Sequence, residues 1–254
     1  MQKNKITLKI TNLIFLMLTI FVNFLANYLP INGLSSGEVS AVYQNPFTPA
    51  GFTFSIWGVI YTLLIIFIIY QFVGKGQINQ EFSTGPYFII ASIANGSWLF
   101  LWHYRAIPLS MIVILILPLS LFQIFKRLHQ YQDYSPAEYI GLKLPFSIYT
   151  AWVTVASIAN FMALLVYFKN DWPANFLNIA AIIGILIGLA VTVKILDKYK
   201  SIAFALVIIW AYIGIIGAQL SYQWPGMTII ITAGISILVI LIKIITTFQA
   251  KSKA

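Results

Sequence analysis

The chain has no cysteine at all, and of its 254 residues only 6 are acidic. The first absence excludes a disulfide framework, thiol catalysis and cysteine-based metal sites. The second is sharper once position is considered. Glu38, Glu81, Asp133, Glu138, Asp171 and Asp197 all fall in predicted loops or at element ends. A proton- or sodium-coupled transporter needs an acid near the membrane midplane, and an intramembrane hydrolase needs a nucleophile with a base or a set of metal ligands. Neither constellation occurs, so no catalytic and no metal-binding residues are assigned. Charge of either sign is scarce, 8% of residues against about a quarter in a soluble domain.

What is present in quantity is hydrocarbon. Hydrophobic residues make up 60% of the chain and the mean hydropathy is +0.90. Apolar runs near 20 residues, enough at 1.5 Å per residue to cross a hydrocarbon core of roughly 30 Å, recur along the whole length. The fold class is therefore all-α, a polytopic integral membrane bundle of about eight helices. The expected spans are Ile10–Leu29, Phe52–Val73, Tyr87–Trp102, Ile107–Phe125, Leu144–Phe168, Phe176–Val193, Ile202–Leu220 and Met227–Thr246. The third and fourth are separated only by His103-Tyr104-Arg105-Ala106, with Pro108 favouring a helix start. The first run is read as a retained span, because no clean Ala-x-Ala cleavage site follows it.

With eight spans, all of the 15 Lys and Arg residues except Arg105 and Lys169 fall on one side. That bias places both termini in the cytoplasm, and the location expected is a bacterial plasma membrane. The net charge of +9 then reflects topology. It predicts contact with anionic membrane lipids and no nucleic-acid partner. In the cytoplasmic segment Lys126 to Lys143, Ser135-Pro136-Ala137-Glu138 carries the signature of a helix N-cap with proline at the first helical position.

The outer segment 30–51 carries one charge, Glu38, and ends in an apolar run, Asn45-Pro46-Phe47-Thr48-Pro49-Ala50-Gly51, that leads directly into the second span. In that span Trp57 and Tyr61 are four residues apart, and in the third Asn95 and Trp98 are three apart, so each pair shares a helix face. In the fifth, Trp152 precedes the small Ala156 on one face. Asn23, Asn95 and Asn160 are amides inside spans. Each must find a partner in the bundle interior, either as helix–helix glue or as a group facing a ligand. The tryptophans divide similarly: Trp102, Trp172 and Trp224 fit an interfacial belt, whereas Trp57, Trp98 and Trp152 lie within their spans and suit either packing or a pocket wall. His103, beside Trp102 and Tyr104, reads as an interfacial side chain or as an axial ligand to a tetrapyrrole iron. His129 reads as solvated.

These residues carry a resemblance. Pro49 followed by Trp57 and Tyr61, the run Asn95-Gly96-Ser97-Trp98-Leu99-Phe100, and Pro145 with Trp152, Ala156 and Asn160 resemble, in order and in span number, the TspO/MBR family of tryptophan-rich sensory proteins. The family pattern has five spans, so the resemblance implies a five-helix unit at 1–168 and an additional three-helix membrane segment at 169–254. The loop lacks the family's tryptophan, with Phe47 the nearest substitute. The resemblance implies a receptor or sensor that binds a flat apolar small molecule, porphyrin- or sterol-like, with a tetrapyrrole the candidate ligand and no certain cofactor. Its site would be Phe47, Pro49, Trp57, Tyr61, Asn95, Trp98, Trp152 and Asn160, the loop acting as a lid. The alternative is a passive carrier or permease for a neutral or lipidic substrate. Leu165-Val166-Tyr167-Phe168-Lys169 fits a loose sterol-contact pattern. Gly184 with Gly188, and Gly214 with Ala218, are small-residue faces that would suit close helix contact within one chain or a homodimer.

Overall fold

The computed structural model describes the chain except residues 1, 29–30, 169–171, 174, 222–225 and 253–254, and the side chains of 2–4, 27 and 250–252. Lys169, Asp171 and Trp224 therefore lie outside the described residues, as do the side chains of Lys3 and Lys251. Among the described residues the chain is helical, with no strand. The helices are α1 (Gln2–Tyr28), α2 (Ser36–Val42), α3 (Ile56–Val73), α4 (Gln77–Glu81), α5 (Tyr87–His103), α6 (Ile107–Leu128), α7 (Pro136–Glu138), α8 (Leu144–Tyr167), α9 (Phe176–Tyr199), α10 (Ile202–Leu220) and α11 (Met227–Ser252). Among the described residues seven segments are long and apolar enough to cross a membrane. The third expected span, α5, has 17 residues, the lower limit of roughly 17 for a span. Together they form a polytopic membrane bundle. Large exposed side chains such as Ile112, Leu119, Ile183 and Leu238 suit a lipid-facing surface.

Two compact units divide the chain: Met1–Val39 with Ser55–Val153, and Ser40–Phe54 with Thr154–Ala254. The division differs from the expected boundary after residue 168 in two ways. It falls within α8, and it assigns the Pro/aromatic loop to the unit that holds the last three helices.

In the first unit α5 and α6 pack as a hairpin, and α1 packs on α3 and α5. The turn between α5 and α6 closes through Arg105 at φ 59, with Ala106 N–H donating to Leu101 O at 2.8 Å. Phe146 meets Phe67 and Phe88 edge to face, with Phe67 and Phe146 centroids 4.7 Å apart, and the three rings are buried together in the core of this unit. The Ser135 signature is realised as a full capping box: Ser135 Oγ accepts from Glu138 N–H, and the Glu138 carboxylate accepts from Ser135 N–H. The same buried carboxylate accepts the Ile78 N–H at 2.9 Å, which pins α4 to α7. A π-helical turn, Tyr139–Lys143, then leads into α8.

In the second unit α9, α10 and α11 pack against one another. The loop is built locally by Asn45: its Oδ1 accepts the Phe47 N–H at 2.9 Å and its backbone oxygen accepts the Thr48 N–H at 2.9 Å, an Asx turn around Pro46. It docks through its backbone. Ala50 N–H donates to Gly214 O at 2.9 Å, Gln219 Nε2 to Pro46 O at 2.8 Å and Trp210 Nε1 to Thr53 O at 3.0 Å. The small-residue faces serve this packing inside the chain. Gly184 sits against Phe47 and Ile158, Gly188 against the Tyr212 hydroxyl, and Gly214 against Thr53.

Candidate functional site

Within the first unit, Trp57 is the hub of an aromatic cluster drawn from α3, α5 and α8. Its ring stacks on Tyr61 at 5.6 Å between centroids and on Trp98 at 6.5 Å. The edges of Tyr149 and Trp152 meet it at 6.0 and 6.3 Å, nearly perpendicular. Trp102 extends the stack from Trp98 at 5.8 Å. The helical spacings explain the assembly. Trp57 and Tyr61 lie one turn apart on α3, and Trp98 follows Asn95 by three on α5. Trp98 and Trp152 are buried, whereas Trp57 and Tyr61 are half-buried, so part of the aromatic surface stays open.

A line of polar groups runs through the same place. Asn23 on α1 donates to Asn95 Oδ1 at 2.9 Å and to Thr19 O at 2.9 Å. Asn95 Nδ2 donates to the Tyr149 hydroxyl at 3.0 Å. Asn95 is fully buried, so these bonds satisfy groups that would otherwise be costly in an apolar interior. The Tyr61 hydroxyl is buried beside Asn95 and Tyr149 and makes no hydrogen bond of ordinary geometry. A phenol both donates and accepts, so this hydroxyl retains bonding capacity.

Of the residues singled out from sequence, Trp57, Tyr61, Asn95, Trp98 and Trp152 come together here. Phe47, Pro49 and Asn160 belong to the second unit and are buried there, Phe47 against Gly184 and Ile158. Sequence reasoning passed over Tyr149. Its only signal was a tyrosine three residues before Trp152, which a helix places on the same face.

His103 is buried. Its Nδ1 donates to Leu99 O at 2.7 Å, its Nε2 lies 3.5 Å from Ser36 Oγ, and Asn32 Nδ2 donates to its carbonyl. Trp102 is also buried, donating to Ser36 O at 3.2 Å. His129 is half-buried, stacked on Phe125 at 3.8 Å with Nδ1 donating to Phe125 O at 2.8 Å. Burial first, then the nearby Lys143 charge, pushes its imidazole down to about 4, against the pull of the Phe125 carbonyl. No three His, Asp or Glu side chains among the described residues gather as a metal site.

A stacked, partly open tryptophan flanked by aromatic edges and a spare hydroxyl is suited to holding a planar apolar molecule inside a membrane protein. The family model described as TSPO-like protein matches residues 9–246. The chain is an integral membrane protein of the TspO/MBR-like family, and the match runs on through α9 and α10 and most of α11. No curated protein and no solved structure matches the chain.

Proposed function

We propose that the protein is a membrane receptor or sensor that binds a flat, apolar small molecule, a porphyrin or a sterol-like lipid, against Trp57. The observation that carries this reading is the set of four rings around Trp57, which leaves that tryptophan half-buried beside the Tyr61 hydroxyl. Trp57 and Trp98 supply the stacking faces. Tyr61 supplies a hydrogen bond to a carboxylate or carbonyl on the ligand's edge. Asn95, held between Asn23 and Tyr149, fixes the geometry of the tyrosine pair. All these residues lie in the first unit. Family membership supports ligand binding, and the one-sided placement of lysines supports a bacterial plasma membrane.

Titration of the purified protein with protoporphyrin, followed by quenching of tryptophan fluorescence, tests the assignment. Trp57→Phe and Asn95→Ala are each expected to weaken binding by roughly five- to tenfold, the scale of one aromatic stack or one buried hydrogen bond. Unchanged affinity in both variants would remove the site.

A further inference from the structure

A second cluster, on the lysine-rich side of the first unit, has unspent bonding capacity. A cavity of about 40 Å³ has Lys5, Leu8, Lys9, Gln71 and Phe82 in its lining. A single water needs roughly 10–15 Å³ of such space, so the cavity admits a larger group. Lys5, Lys9 and Asn12 are spaced four and three apart and so project from one face of α1.

Asn12 sets the chemistry. Its buried Nδ2 donates to Gln71 Oε1 at 3.1 Å and to Thr84 Oγ1 at 3.1 Å. This pair leaves two buried atoms without a partner, the acceptor Asn12 Oδ1 and the donor Gln71 Nε2. That nitrogen is buried, belongs to a residue only 6% exposed that lines the cavity, and has no hydrogen-bond partner. A buried amide nitrogen left unpaired costs free energy unless something fills the space and accepts from it. Lys9 Nζ donates to Gln71 O, and Lys5 Nζ donates to Gln80 O at 2.6 Å. Each ammonium retains further donors, and among the described residues neither pairs with a carboxylate. Lys5, Lys9 and Gln71 thus bring donors to the cavity wall, two of them charged.

We propose that this cavity binds a phosphate group. The site offers two point cations and an amide donor to an ion rich in acceptor oxygens. Its depth is that of a lipid head group, because Lys5 begins one membrane-crossing segment and Gln71 lies two residues from the end of another. Leu8 and Phe82 add an apolar margin for the glycerol and upper acyl region. The phosphate comes from a net-anionic lipid or from free inorganic phosphate. The inference is independent of the Trp57 site.

The test uses the full chain in neutral detergent, with thermal stability read against added phosphatidylglycerol, phosphatidylcholine, or inorganic phosphate at matched ionic strength. Phosphatidylglycerol is expected to raise the midpoint more than phosphatidylcholine. Lys5→Gln with Lys9→Gln should weaken that response about tenfold, and Gln71→Glu should abolish it by placing a carboxylate where the donor stood. Lys198→Gln with Lys200→Gln, on the second unit, should leave it unchanged. Stabilisation by inorganic phosphate alone, lost in Gln71→Glu, would support the site and assign it to the soluble ion. Should Gln71→Glu fail to fold, the lysine pair carries the test. Equal responses in the parent and the Lys5/Lys9 variant, or equal loss in the Lys198/Lys200 control, would overturn the proposal.

Discussion

Asn23 Nδ2 donates to Asn95 Oδ1 at 2.9 Å, joining α1 to α5 through two amides buried among aromatic rings. Such a bond in a membrane interior contributes about 0.6–2 kcal/mol, and its direction leaves Asn95 Nδ2 available to the Tyr149 hydroxyl. A double-mutant cycle with Asn23→Leu and Tyr149→Phe should show coupling through Asn95: the two losses of thermal stability are expected to be non-additive by about 0.5 kcal/mol or more. Additive losses would mean that the polar line is not a unit.

The docking of the outer loop gives a steric prediction. A methyl group at Gly214 meets the Thr53 side chain, and Gly214 also presents its carbonyl to Ala50. Gly214→Ala is expected to lower stability by about 1–3 kcal/mol, the usual cost of overpacking. Thr53→Ala in the same chain should recover part of it. Thermal unfolding in detergent of the single and double variants is the measurement, and a neutral Gly214→Ala would show that the loop yields at no cost.

His129 gives a pH dependence. Its folded imidazole titrates near 4, below the ordinary value of 6.5, so the unfolded chain binds the proton first. The stability it contributes is complete above about pH 6.5 and is lost as the pH falls towards 4. His129→Phe, which keeps the ring stacked on Phe125, should flatten the acid limb of a stability profile between those values. An identical limb in the variant would place the titrating group elsewhere.

The absence of cysteine makes topology directly measurable. Cysteine introduced at Arg105 should react with a membrane-impermeant maleimide in intact cells, and cysteine introduced at Lys198 should react only after permeabilisation. The opposite pattern would invert the orientation.

The segments legible in the sequence were those whose signal is local. Apolar length gave the spans, spacing gave the shared face of Trp57 with Tyr61 and of Asn95 with Trp98, and Ser135 to Glu138 spelled its own capping box. Contacts made across long separations were not legible. Gly184 and Gly188 announce a close approach, but nothing in their helix says that Phe47 and Tyr212 fill it. The loop's apolar character reads equally as a lid or as a packing element. Backbone acceptors such as Pro46 O and Thr53 O, which take the Gln219 and Trp210 donors, carry no residue-type signature. Asn12 and Gln71, 59 residues apart, are unremarkable singly and become a site only when paired. His103 looked interfacial because it follows Trp102 at a helix end, yet the segment carrying Asn32 and Ser36 covers it.

The central claim is that a planar ligand lies against Trp57, and a structure of the protein loaded with protoporphyrin tests it most directly. Flat density against the exposed part of Trp57, with a polar edge within hydrogen-bond reach of the Tyr61 hydroxyl, is the predicted result. Ligand density elsewhere, with the rings of Trp57, Trp98, Tyr149 and Trp152 unmoved and no molecule beside them, would contradict it.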